Sequence, residues 1–365
     1  MWLIIFGSII IATAAGVIYM TAAVRRFHAV EVLSGGRKLL SAVISFLIIA
    51  FFFALACLLF SFMNAMVILL HVMLFFLLFG LILRLLKGHL KEDSSVNRQG
   101  WLAIVTAFLY LIIAWVLCHH VWQKDYTLTT DKPVEALRVA MIADSHIGTT
   151  FDGEGFAAHI KKIGEQSPDM LLIAGDFVDD ASCREDMLRA CRALGELELP
   201  YGVFYAYGNH DKGYANRRDF TAEELKDALL ENGVHVLEDA SELIDDRFYI
   251  VGRKDSAHGE RKDMAALLAG LDQEKYIIVM DHEPNDYENE AASAADLVVS
   301  GHTHGGQLIP ITYVGEWFHI NDRTYGHENR SGTDFIVTSG ISDWEILFKT
   351  GTRSEYVIID ITSEN

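Results

Sequence analysis

Cysteine is scarce in this chain of 365 residues, which contains four. Cys57 and Cys118 fall in long apolar runs, where cysteine behaves as a small apolar residue. Cys183 and Cys191 lie eight residues apart on a predicted helix, which separates them by roughly 12 Å along its axis, too far for a disulfide. We therefore predict no disulfide between them, and this does not exclude a location outside the cytoplasm.

Charge is missing from three long runs near the N-terminus. Residues 1–24, 39–83 and 101–122 contain no Asp, Glu, Lys or Arg. A helix needs about 20 apolar residues to cross the hydrocarbon core, so the middle run is long enough for two crossings joined by a tight turn near residues 61–64. We predict four transmembrane helices, forming an all-α bundle within residues 1–123.

Acidic residues and proline are absent from these runs. Helices of transport sites often carry such acidic groups or are broken by proline. Their absence favours an anchor over a transporter or sensor whose second domain only binds metal, which stays open as an alternative. The first run also lacks the basic start of a removed signal peptide, and further membrane runs follow it, so we expect it to be retained.

Lysine and arginine are absent from the turn near Asn64 and collect in the other two loops between the predicted helices. By the positive-inside rule, both basic loops face the cytoplasm. The fourth helix then exits outward, so we expect the N-terminus and the residues after about 123 to be extracytoplasmic. The basic residues are Arg25, Arg26, Arg37 and Lys38 in one loop and Arg84, Lys87, Lys91 and Arg98 in the other.

Positive charge is also scarce in the remainder of the chain. The chain has 30 basic and 49 acidic residues, of which ten basic and five acidic residues lie in residues 1–132. Residues 133–365 therefore contain 20 basic and 44 acidic residues and carry a net charge of −24. An acidic region of this size repels nucleic acid and anionic surfaces. We therefore expect no nucleic-acid partner.

Short apolar runs alternate with amphipathic segments in the second part of the sequence. The runs are rich in Val, Ile, Leu and aromatic residues, as strands of a sheet covered on both faces require. We predict an α/β domain over residues 135–365, joined to the membrane helices by a linker at 124–134. The predicted strands are 137–143, 170–175, 202–208, 276–280, 296–301, 335–339 and 356–361.

Two helix starts follow from capping-box spacing. Ser182 with Glu185 and Thr221 with Glu224 match this pattern, in which the side chains satisfy the first free backbone N–H groups. After each of these positions, apolar residues recur at helical spacing. The faces are formed by Met187, Cys191 and Leu194 in one helix and by Leu225, Ala228 and Leu229 in the other.

Five of the predicted strands are followed directly by side chains that can bind a metal ion. The carboxyl ends of such strands share one edge of the sheet, and this edge is where ligands bind. Carboxylates, imidazoles and a carboxamide oxygen suit Mn, Fe or Zn ions, so the sequence indicates a two-metal centre. The motifs are Asp144-Ser145-His146, Gly175-Asp176-Phe177-Val178-Asp179, Gly208-Asn209-His210-Asp211, Asp281-His282-Glu283-Pro284 and Gly301-His302-Thr303-His304.

The order of these motifs, D-x-H, G-D-x-x-D, G-N-H-D, H and G-H-x-H, resembles the calcineurin-like metallophosphoesterases over residues 135–365. Stretches at 251–256 and 351–356 resemble the membrane-bound branch with four N-terminal helices. The resemblance implies a four-layer α/β/β/α sandwich and two divalent metal ions, Mn, Fe or Zn, as cofactors. It also implies hydrolysis of phosphomonoesters or phosphodiesters by a hydroxide that bridges the two metals.

The resemblance implies a role for each motif residue. Asp176 would bridge the metals, and His210 would donate a proton to the leaving oxygen, with Asp211 fixing its orientation. Asp179 is either a carboxylate that orients a ligand or a helix cap. Arg253, just after an apolar run, is a candidate to bind substrate phosphate. The ligands would be Asp144, His146 and His304 for one metal ion and Asn209, His282 and His302 for the other.

These expectations describe a membrane-anchored phosphoesterase whose site lies outside the cytoplasm, close enough to the bilayer to act on lipid or cell-envelope phosphoesters. An inverted topology would instead give a cytoplasm-facing hydrolase of nucleotide or lipid-precursor pyrophosphate bonds. The sequence leaves open the choice between monoester and diester, the metal and the oligomeric state.

Overall fold

The computed structural model describes residues 2–86, 97–214 and 217–363. Contacts divide the chain into two compact units, Met1–Ala114 and Trp115–Asn365. The described part of the first unit is helical, and the last of its helices continues into the second unit. These helices are α1 (Trp2–Val24), α2 (His28–Ser34), α3 (Lys38–Leu59), α4 (Phe62–Leu85) and α5 (Arg98–His119).

Three of these helices, α3, α4 and α5, are long and apolar enough to cross a membrane. Helix α1 is not among these three, so the fourth membrane helix stays a prediction. Lys87 and Lys91, two of the residues on which the predicted orientation depends, lie outside the described residues.

The predicted tight turn inside the longest apolar run is confirmed. Helix α3 ends at Leu59 and α4 begins at Phe62, while the hydroxyl of Ser61 accepts a hydrogen bond from the backbone N–H of Asn64 at 3.1 Å. This N-cap satisfies one of the free N–H groups of the helix. The short helix α2, within the first basic loop, was not predicted.

Polar side chains in the first unit bond to one another. The amide nitrogen of Gln99 donates to the hydroxyl of Tyr19 at 2.8 Å and to the carbonyl oxygen of Phe76 at 2.7 Å. Ala103 and Ala107 are fully buried, which allows close packing of α5 with its neighbours. Small residues and interhelical hydrogen bonds are the means by which membrane helices associate.

The second unit contains strands and helices that alternate along the chain. Its helices among the described residues are α6 (Gly153–Gly164), α7 (Arg184–Gly195), α8 (Ala222–Glu231), α9 (Met264–Leu267), α10 (Tyr287–Ala291) and α11 (Val314–Trp317). Its strands are β1 (Trp122–Thr130), β2 (Leu137–Ile142), β3 (Met170–Ala174), β4 (Val203–Ala206), β5 (His235–Leu237), β6 (Ala240–Ile244), β7 (Phe248–Gly252), β8 (Tyr276–Met280), β9 (Leu297–Ser300), β10 (Gly326–Arg330), β11 (Thr333–Val337) and β12 (Glu355–Ser363).

The strands form two six-stranded sheets, ordered β1-β12-β2-β3-β4-β5 and β10-β11-β9-β8-β7-β6. Strands β2 to β5 are parallel, as are β7, β8, β9 and β11. The carboxyl ends of these strands therefore lie at one edge of each sheet, and this edge carries the predicted ligand motifs.

Alternate residues of each strand enter different cores, because successive side chains point to opposite faces. Met141 lies in the core between the two sheets, whereas Ile142 packs with Met187 of α7 on the outer face of the first sheet. On the outer face of the second sheet, Ile277 packs with Tyr287 of α10. The predicted four-layer α/β/β/α fold is confirmed.

The predicted linker at 124–134 is wrong over most of its length. Strand β1 covers it up to Thr130 and pairs in parallel with β12, from Trp122 opposite Glu355 to Thr130 opposite Ser363. Strand β1 is paired along one side only, and its sequence, WQKDYTLTT, alternates polar with less polar residues. The continuous apolar run that identified the central strands is therefore missing.

One of the two predicted capping boxes is confirmed. The side chain of Thr221 accepts a hydrogen bond from the N–H of Glu224, and the Glu224 carboxylate accepts one from the N–H of Thr221. The other is wrong, because Cys183 is the N-cap of α7 and the Ser182 hydroxyl donates to the carbonyl oxygen of Ile147 at 2.5 Å. The apolar faces predicted for both helices are buried, and Cys183 and Cys191 are free thiols.

Candidate metal centre

Five loops bring the predicted motifs together at the carboxyl ends of β2, β3, β4, β8 and β9. Hydrogen bonds join these loops across the two sheets. The Nδ1–H of His282 donates to the carbonyl oxygen of Ala174 at 2.8 Å, and the backbone N–H of His302 donates to the carboxylate of Asp144 at 3.0 Å. The carboxyl edges of both sheets therefore meet at one place.

Asp144, His146 and His304 form the first ligand group. One ligand atom from each lies within 4.8 Å of the others. The Nε2 atom of His304 is 3.8 Å from Oδ1 of Asp144. Asp144 and His146 are fully buried, and His304 is nearly so. Three donors this close together in a buried position have the spacing that a shared cation requires.

Asp176, His282 and His302 form the second ligand group, whose ligand atoms also lie within 4.8 Å of one another. Asn209 joins this group, since its Oδ1 is 3.1 Å from Nε2 of His282 and 2.9 Å from Nδ1 of His302. The Asn209 amide nitrogen donates to the hydroxyl of Tyr214 at 2.8 Å, which turns its oxygen toward the histidines. All seven predicted ligands are thus brought together.

Asp176 faces both groups through a single oxygen atom. Its Oδ2 is 3.6 Å from Nε2 of His146 in the first group and 3.1 Å from Nε2 of His282 in the second. Its Oδ1 accepts a hydrogen bond from the backbone N–H of His210 at 2.8 Å, which holds the carboxylate in this orientation. The arrangement is the one expected of a carboxylate that bridges two cations.

The chemistry of the donor set fits divalent metal ions. The Nε2 atom of the fully buried His146 lacks a hydrogen-bond partner among the described residues, which is costly for a buried polar atom unless a cation satisfies it. Burial opposes the positive charge of His282, but the carboxylates of Asp176 and Asp144 outweigh it and raise the pKa of His282 well above its ordinary value. The site therefore favours positive charge. Nitrogen and oxygen donors without thiolate suit Mn, Fe or Zn.

The backbone of the ligand loops adopts an uncommon conformation. Five of the seven ligands have positive φ angles between 36° and 69°: Asp144, His146, Asp176, His302 and His304. Residues other than glycine rarely occupy this region, and such conformations concentrate at functional sites. No sequence pattern predicted this feature.

Two glycines allow the loops to approach the carboxylates. A Cβ atom at Gly208 would lie 2.3 Å from Oδ1 of Asp176, and one at Gly301 would lie 2.6 Å from Oδ2 of Asp144. Both distances are shorter than any real Cβ contact. The glycines in these two motifs are therefore required by close packing around the ligands.

Buried carboxylates support the two histidines of the first ligand group. Asp179 places its Oδ2 3.3 Å from Nδ1 of His146, and its Oδ1 accepts a hydrogen bond from the N–H of Ala181 at 2.7 Å in the turn before α7. It therefore orients a ligand and is not the cap of α7, whose N-cap is Cys183. Asp343 places its Oδ1 3.3 Å from Nδ1 of His304. Such carboxylates fix the orientation of a metal-binding imidazole and raise its basicity.

Asp343 was missed by sequence reasoning. It lies in the irregular segment after β11, is fully buried, and is 3.2 Å from Nζ of Lys349, which is also fully buried. Lys349 in turn donates to the carbonyl oxygen of Ser339 at 2.7 Å. A buried ion pair has no local sequence signature, because charged residues are normally assigned to the surface.

His210 lies beside the ligands without belonging to either group. Its ring is half-buried, with its centre 5.2 Å from that of His146 and 5.3 Å from that of Trp344. Burial lowers the pKa of His210 to about 4. The ring is therefore placed where a group bound by both ligand sets would meet it.

Asp211, which was expected to fix the orientation of His210, directs its carboxylate to backbone groups. Its carboxylate accepts hydrogen bonds from four backbone N–H groups, at distances from 2.7 to 3.1 Å, and so it fastens the loops after β3 and β4 to each other. Burial and the nearby charge of Asp176 raise the pKa of Asp211 to about 6. The four donors belong to Asp176, Phe177, Val178 and Gly208.

The structure also contradicts the assignment of Arg253 to substrate binding. Its guanidinium is 3% exposed and is surrounded by Asp281 at 2.9 Å, Asp286 at 2.6 Å and Glu290 at 3.5 Å. Carboxylates bind both of its terminal nitrogens, and the guanidinium is almost fully buried. Arg253 supports the loop that carries His282, since Asp281 is its neighbour in the chain.

A cleft of about 480 Å³ lies next to the loop after β4, and Lys212, Tyr214 and Arg218 are among the residues that line it. Tyr214 connects the cleft to the second ligand group through its bond to Asn209. Arg218 donates to the carbonyl oxygen of Asp211 at 2.7 Å, so it also holds this loop.

Comparison with known proteins places these residues in a family. The model of the calcineurin-like phosphoesterases matches residues 137–306, a range that contains all seven ligands and excludes Asp343 and Lys349. An uncharacterized metallophosphoesterase of Aquifex aeolicus is 31% identical over 201 residues, which are 52% of this chain and 72% of that protein.

Two further relatives are similar over longer segments. An uncharacterized metallophosphoesterase of Campylobacter jejuni is 29% identical over 232 residues, 62% of this chain and 59% of that protein. A transmembrane protein with metallophosphoesterase domain from Danio rerio is 28% identical over 311 residues, 78% of this chain and 69% of that protein. The family model and these relatives show that the chain belongs to the calcineurin-like phosphoesterase family, whose members are metal-dependent hydrolases of phosphoric esters.

Proposed function

We propose that this membrane protein is a phosphoesterase that uses two divalent metal ions, Mn, Fe or Zn, to hydrolyse phosphomonoesters or phosphodiesters. The observation that carries the proposal is the junction of the two ligand groups at Asp176, whose Oδ2 lies within 3.6 Å of a histidine from each. Metal ions held there would supply a nucleophile derived from water and neutralise charge on the phosphate.

The residues of the chain prepare this chemistry by fixing the donor atoms. Because Nδ1–H of His282 donates to the carbonyl oxygen of Ala174, its Nε2 is left free as a ligand. Asp179 and Asp343 hold the rings of His146 and His304 from behind. The centre is thus preorganised by contacts that do not include the substrate.

His210 is proposed as the proton donor to the leaving oxygen. Its ring stands beside His146 but is not needed as a ligand. Burial disfavours its charged form, and a bound phosphate would reverse this preference, because an opposite charge nearby raises the pKa of an imidazole. Asp211 would act on His210 indirectly, by holding the loop between β4 and α8.

The substrate is proposed to be a lipid or cell-envelope phosphoester at the outer face of the membrane. Three helices long enough to cross a membrane precede the domain, and basic residues collect in two of the loops between the predicted helices. A reporter that is active on only one side of the membrane, fused after Asn365, tests the orientation. Activity confined to the cytoplasm contradicts it and favours the inverted topology.

The enzymatic test uses the purified full-length protein, stripped of metal with a chelator and reloaded with Mn, Fe or Zn. We expect hydrolysis of aryl phosphate monoesters or diesters that depends on the added metal. Replacing His210 with alanine should leave the metal content unchanged and slow substrates with poor leaving groups by about 10² to 10⁴, with a smaller effect on good leaving groups.

The matched control for this test is His235→Ala, a histidine outside the ligand motifs that pairs with Glu242 at 2.8 Å. It should leave the dependence on leaving group unchanged. Absence of any metal-dependent turnover would falsify the proposed function. An equal effect of His210→Ala on good and poor leaving groups contradicts the proton-donor role alone.

A further inference from the structure

An apolar ridge follows the loop that carries His302 and His304. Six large apolar side chains in this segment have exposed fractions between 49% and 72%. Elsewhere in the described part of residues 115–365, large exposed apolar side chains occur singly or as one neighbouring pair. The apolar ridge consists of Ile309, Ile311, Tyr313, Trp317, Phe318 and Ile320.

The described residues of the fold leave the apolar ridge largely exposed. Tyr313 and Trp317 stack on each other with ring centres 5.6 Å apart, yet both remain at least half exposed. The only charged residue in the segment 308–321 is Glu316, and its carboxylate accepts a hydrogen bond from the N–H of Thr324 at 2.7 Å. A contiguous exposed apolar surface of this kind marks an interaction site.

The base of the apolar ridge is connected to the end of a candidate membrane helix. The backbone N–H of Ser354 donates to the carbonyl oxygen of Leu117 at 2.9 Å. The hydroxyl of Ser354 donates to the carbonyl oxygen of Cys118 at 2.6 Å. Both acceptors lie in the last turn of α5, within the second unit. Four residues earlier, the hydroxyl of Thr350 accepts a hydrogen bond from the N–H of Ile309 at 2.9 Å.

This connection limits how far the apolar ridge can be from the membrane surface. A segment of five residues, such as 350–354, spans at most about 18 Å even when fully extended. The base of the apolar ridge therefore lies within about 18 Å of the last turn of α5, a helix that is long and apolar enough to cross a membrane.

The apolar ridge is also fastened to the first ligand group. A Cβ atom at Gly306 would lie 2.2 Å from Cα of Thr312, so the backbone of the ridge packs directly against the loop of His304. The hydroxyl of Thr352 donates to the carbonyl oxygen of His304 at 3.4 Å. A displacement of the apolar ridge would therefore also displace the loop of His304, because their backbones are in contact.

We propose that the apolar ridge inserts into the interfacial layer of the bilayer and so presents the metal centre to phosphoesters held in that bilayer. The insertion of the apolar ridge into the bilayer does not depend on the proposed function. Its role in presenting a lipid substrate to the metal centre rests on the proposed function. Residues 133–365 carry a net charge of −24, so anionic headgroups cannot hold this region by charge. Tyrosine, tryptophan and phenylalanine are the side chains that bind at membrane interfaces.

The attachment can be measured with a fluorescent label on the full-length protein in lipid nanodiscs. We would replace the exposed Cys183 with serine, introduce Phe318→Cys, label it with bimane, and subtract the signal of the parent without the new cysteine. We expect strong quenching by brominated lipids and weak quenching by aqueous iodide at this position. Leu230→Cys on α8, where the native side chain is 50% exposed, is the matched control and should show the opposite pattern.

Two outcomes overturn the attachment. One is quenching by iodide at position 318 as strong as at position 230, which means that the apolar ridge stays in water. The other is protection from iodide without quenching by brominated lipids, which means that protein, such as a second copy of the chain, covers it.

The supply of lipid substrate is tested with the double variant Trp317→Ser and Phe318→Ser. The measured quantity is the ratio of turnover on lipid to turnover on soluble substrate, using phosphatidic acid and phosphatidylglycerol in nanodiscs against aryl phosphate monoesters and diesters. We expect this ratio to fall by about tenfold, because the binding of an interfacial segment scales with its apolar area. Leu230→Ser should leave the ratio unchanged.

The failures of the two proposals are distinguishable. If the wild-type protein hydrolyses neither kind of substrate, the proposed function fails and the labelling experiment still decides whether the apolar ridge binds the bilayer. If it hydrolyses both and the double variant has an unchanged ratio, the ridge does not supply the substrate.

Discussion

The histidines of the first ligand group are supported by charged partners. His146 faces Asp179 and His304 faces Asp343, in each case at 3.3 Å from Nδ1 to a carboxylate oxygen. All four residues are buried or nearly so. A carboxylate behind an imidazole stabilises its ligand-binding orientation and makes its other nitrogen a stronger donor.

The second ligand group is supported by neutral partners instead. The Nδ1–H of His282 donates to the carbonyl oxygen of Ala174, and the amide of Asn209 donates to the hydroxyl of Tyr214, both at 2.8 Å. Neutral hydrogen bonds fix orientation with less effect on basicity than a carboxylate has. The contrast predicts that the first group would bind a metal ion more tightly than the second, and that the two sites would respond to different substitutions.

The largest effect is expected at the residue that both groups share. Asp176→Asn removes the bridging charge, and the loss of several kcal/mol of electrostatic stabilisation corresponds to a rate reduction on the order of 10³. Turnover of an aryl phosphate and metal content per chain measure it, with the exposed Asp227→Asn on α8 as control. Full activity of Asp176→Asn contradicts the site assignment.

Removing one histidine from each group separates the two sites. His304→Ala and His302→Ala should each lower turnover on the order of a hundredfold or more and reduce metal content from two ions toward one. Elemental analysis of the variants, beside His327→Ala as a control outside the ligand motifs, gives the count. Loss of both ions from either variant would show that the groups form a single site.

The carboxylate partners should affect only the first group. Asp179→Asn and Asp343→Asn are expected to weaken the affinity for one metal ion by about 10 to 100-fold and to leave the other unchanged. Titration against a competing chelator measures both affinities. Asp334→Asn, which breaks a comparable pair with His327 at 2.7 Å, is the matched control.

A thermal unfolding curve must accompany Asp343→Asn, because this change also leaves the buried Lys349 without its carboxylate. Asp179→Asn does not have this side effect. Equal weakening of both metal ions by Asp179→Asn is the result that removes the distinction between charged and neutral support.

The smallest effect is expected from a neutral partner of the second group. Tyr214→Phe removes the acceptor for the Asn209 amide, and a single hydrogen bond of about 0.5 to 1.5 kcal/mol corresponds to a change of roughly 3 to 10-fold in affinity. The same chelator titration measures it, and only the second ion should respond. A change as large as that of Asp179→Asn contradicts the comparison.

The sequence was informative where a feature follows from a short local pattern of residues. Continuous apolar runs predicted the central strands, and the polar residues directly after them predicted that Asp144, Asp176 and His282 would meet, because parallel strands share one edge. The capping box at Thr221 was also predicted, because its two partners are only three residues apart in the sequence. These features depend on local spacing.

Features that depend on distant residues were missed or wrongly predicted. Asp343 supports His304 from a loop with no motif, and Arg253 is buried among carboxylates although its position suggested a phosphate contact. Strand β1 resembled a linker because only one of its sides is paired. The roles of these residues follow from burial and pairing, which are set by the tertiary fold.

The place of β12 between β1 and β2 has a consequence for biosynthesis. Among the described residues, strand β1 pairs with its sheet only through β12, whose residues lie more than two hundred positions later in the chain. During translation, β1 therefore stays unpaired until nearly all of the second unit has been synthesised. The helices that precede β1 are available for membrane insertion before that. Closure of this long loop makes completion of the sheet a late step in folding.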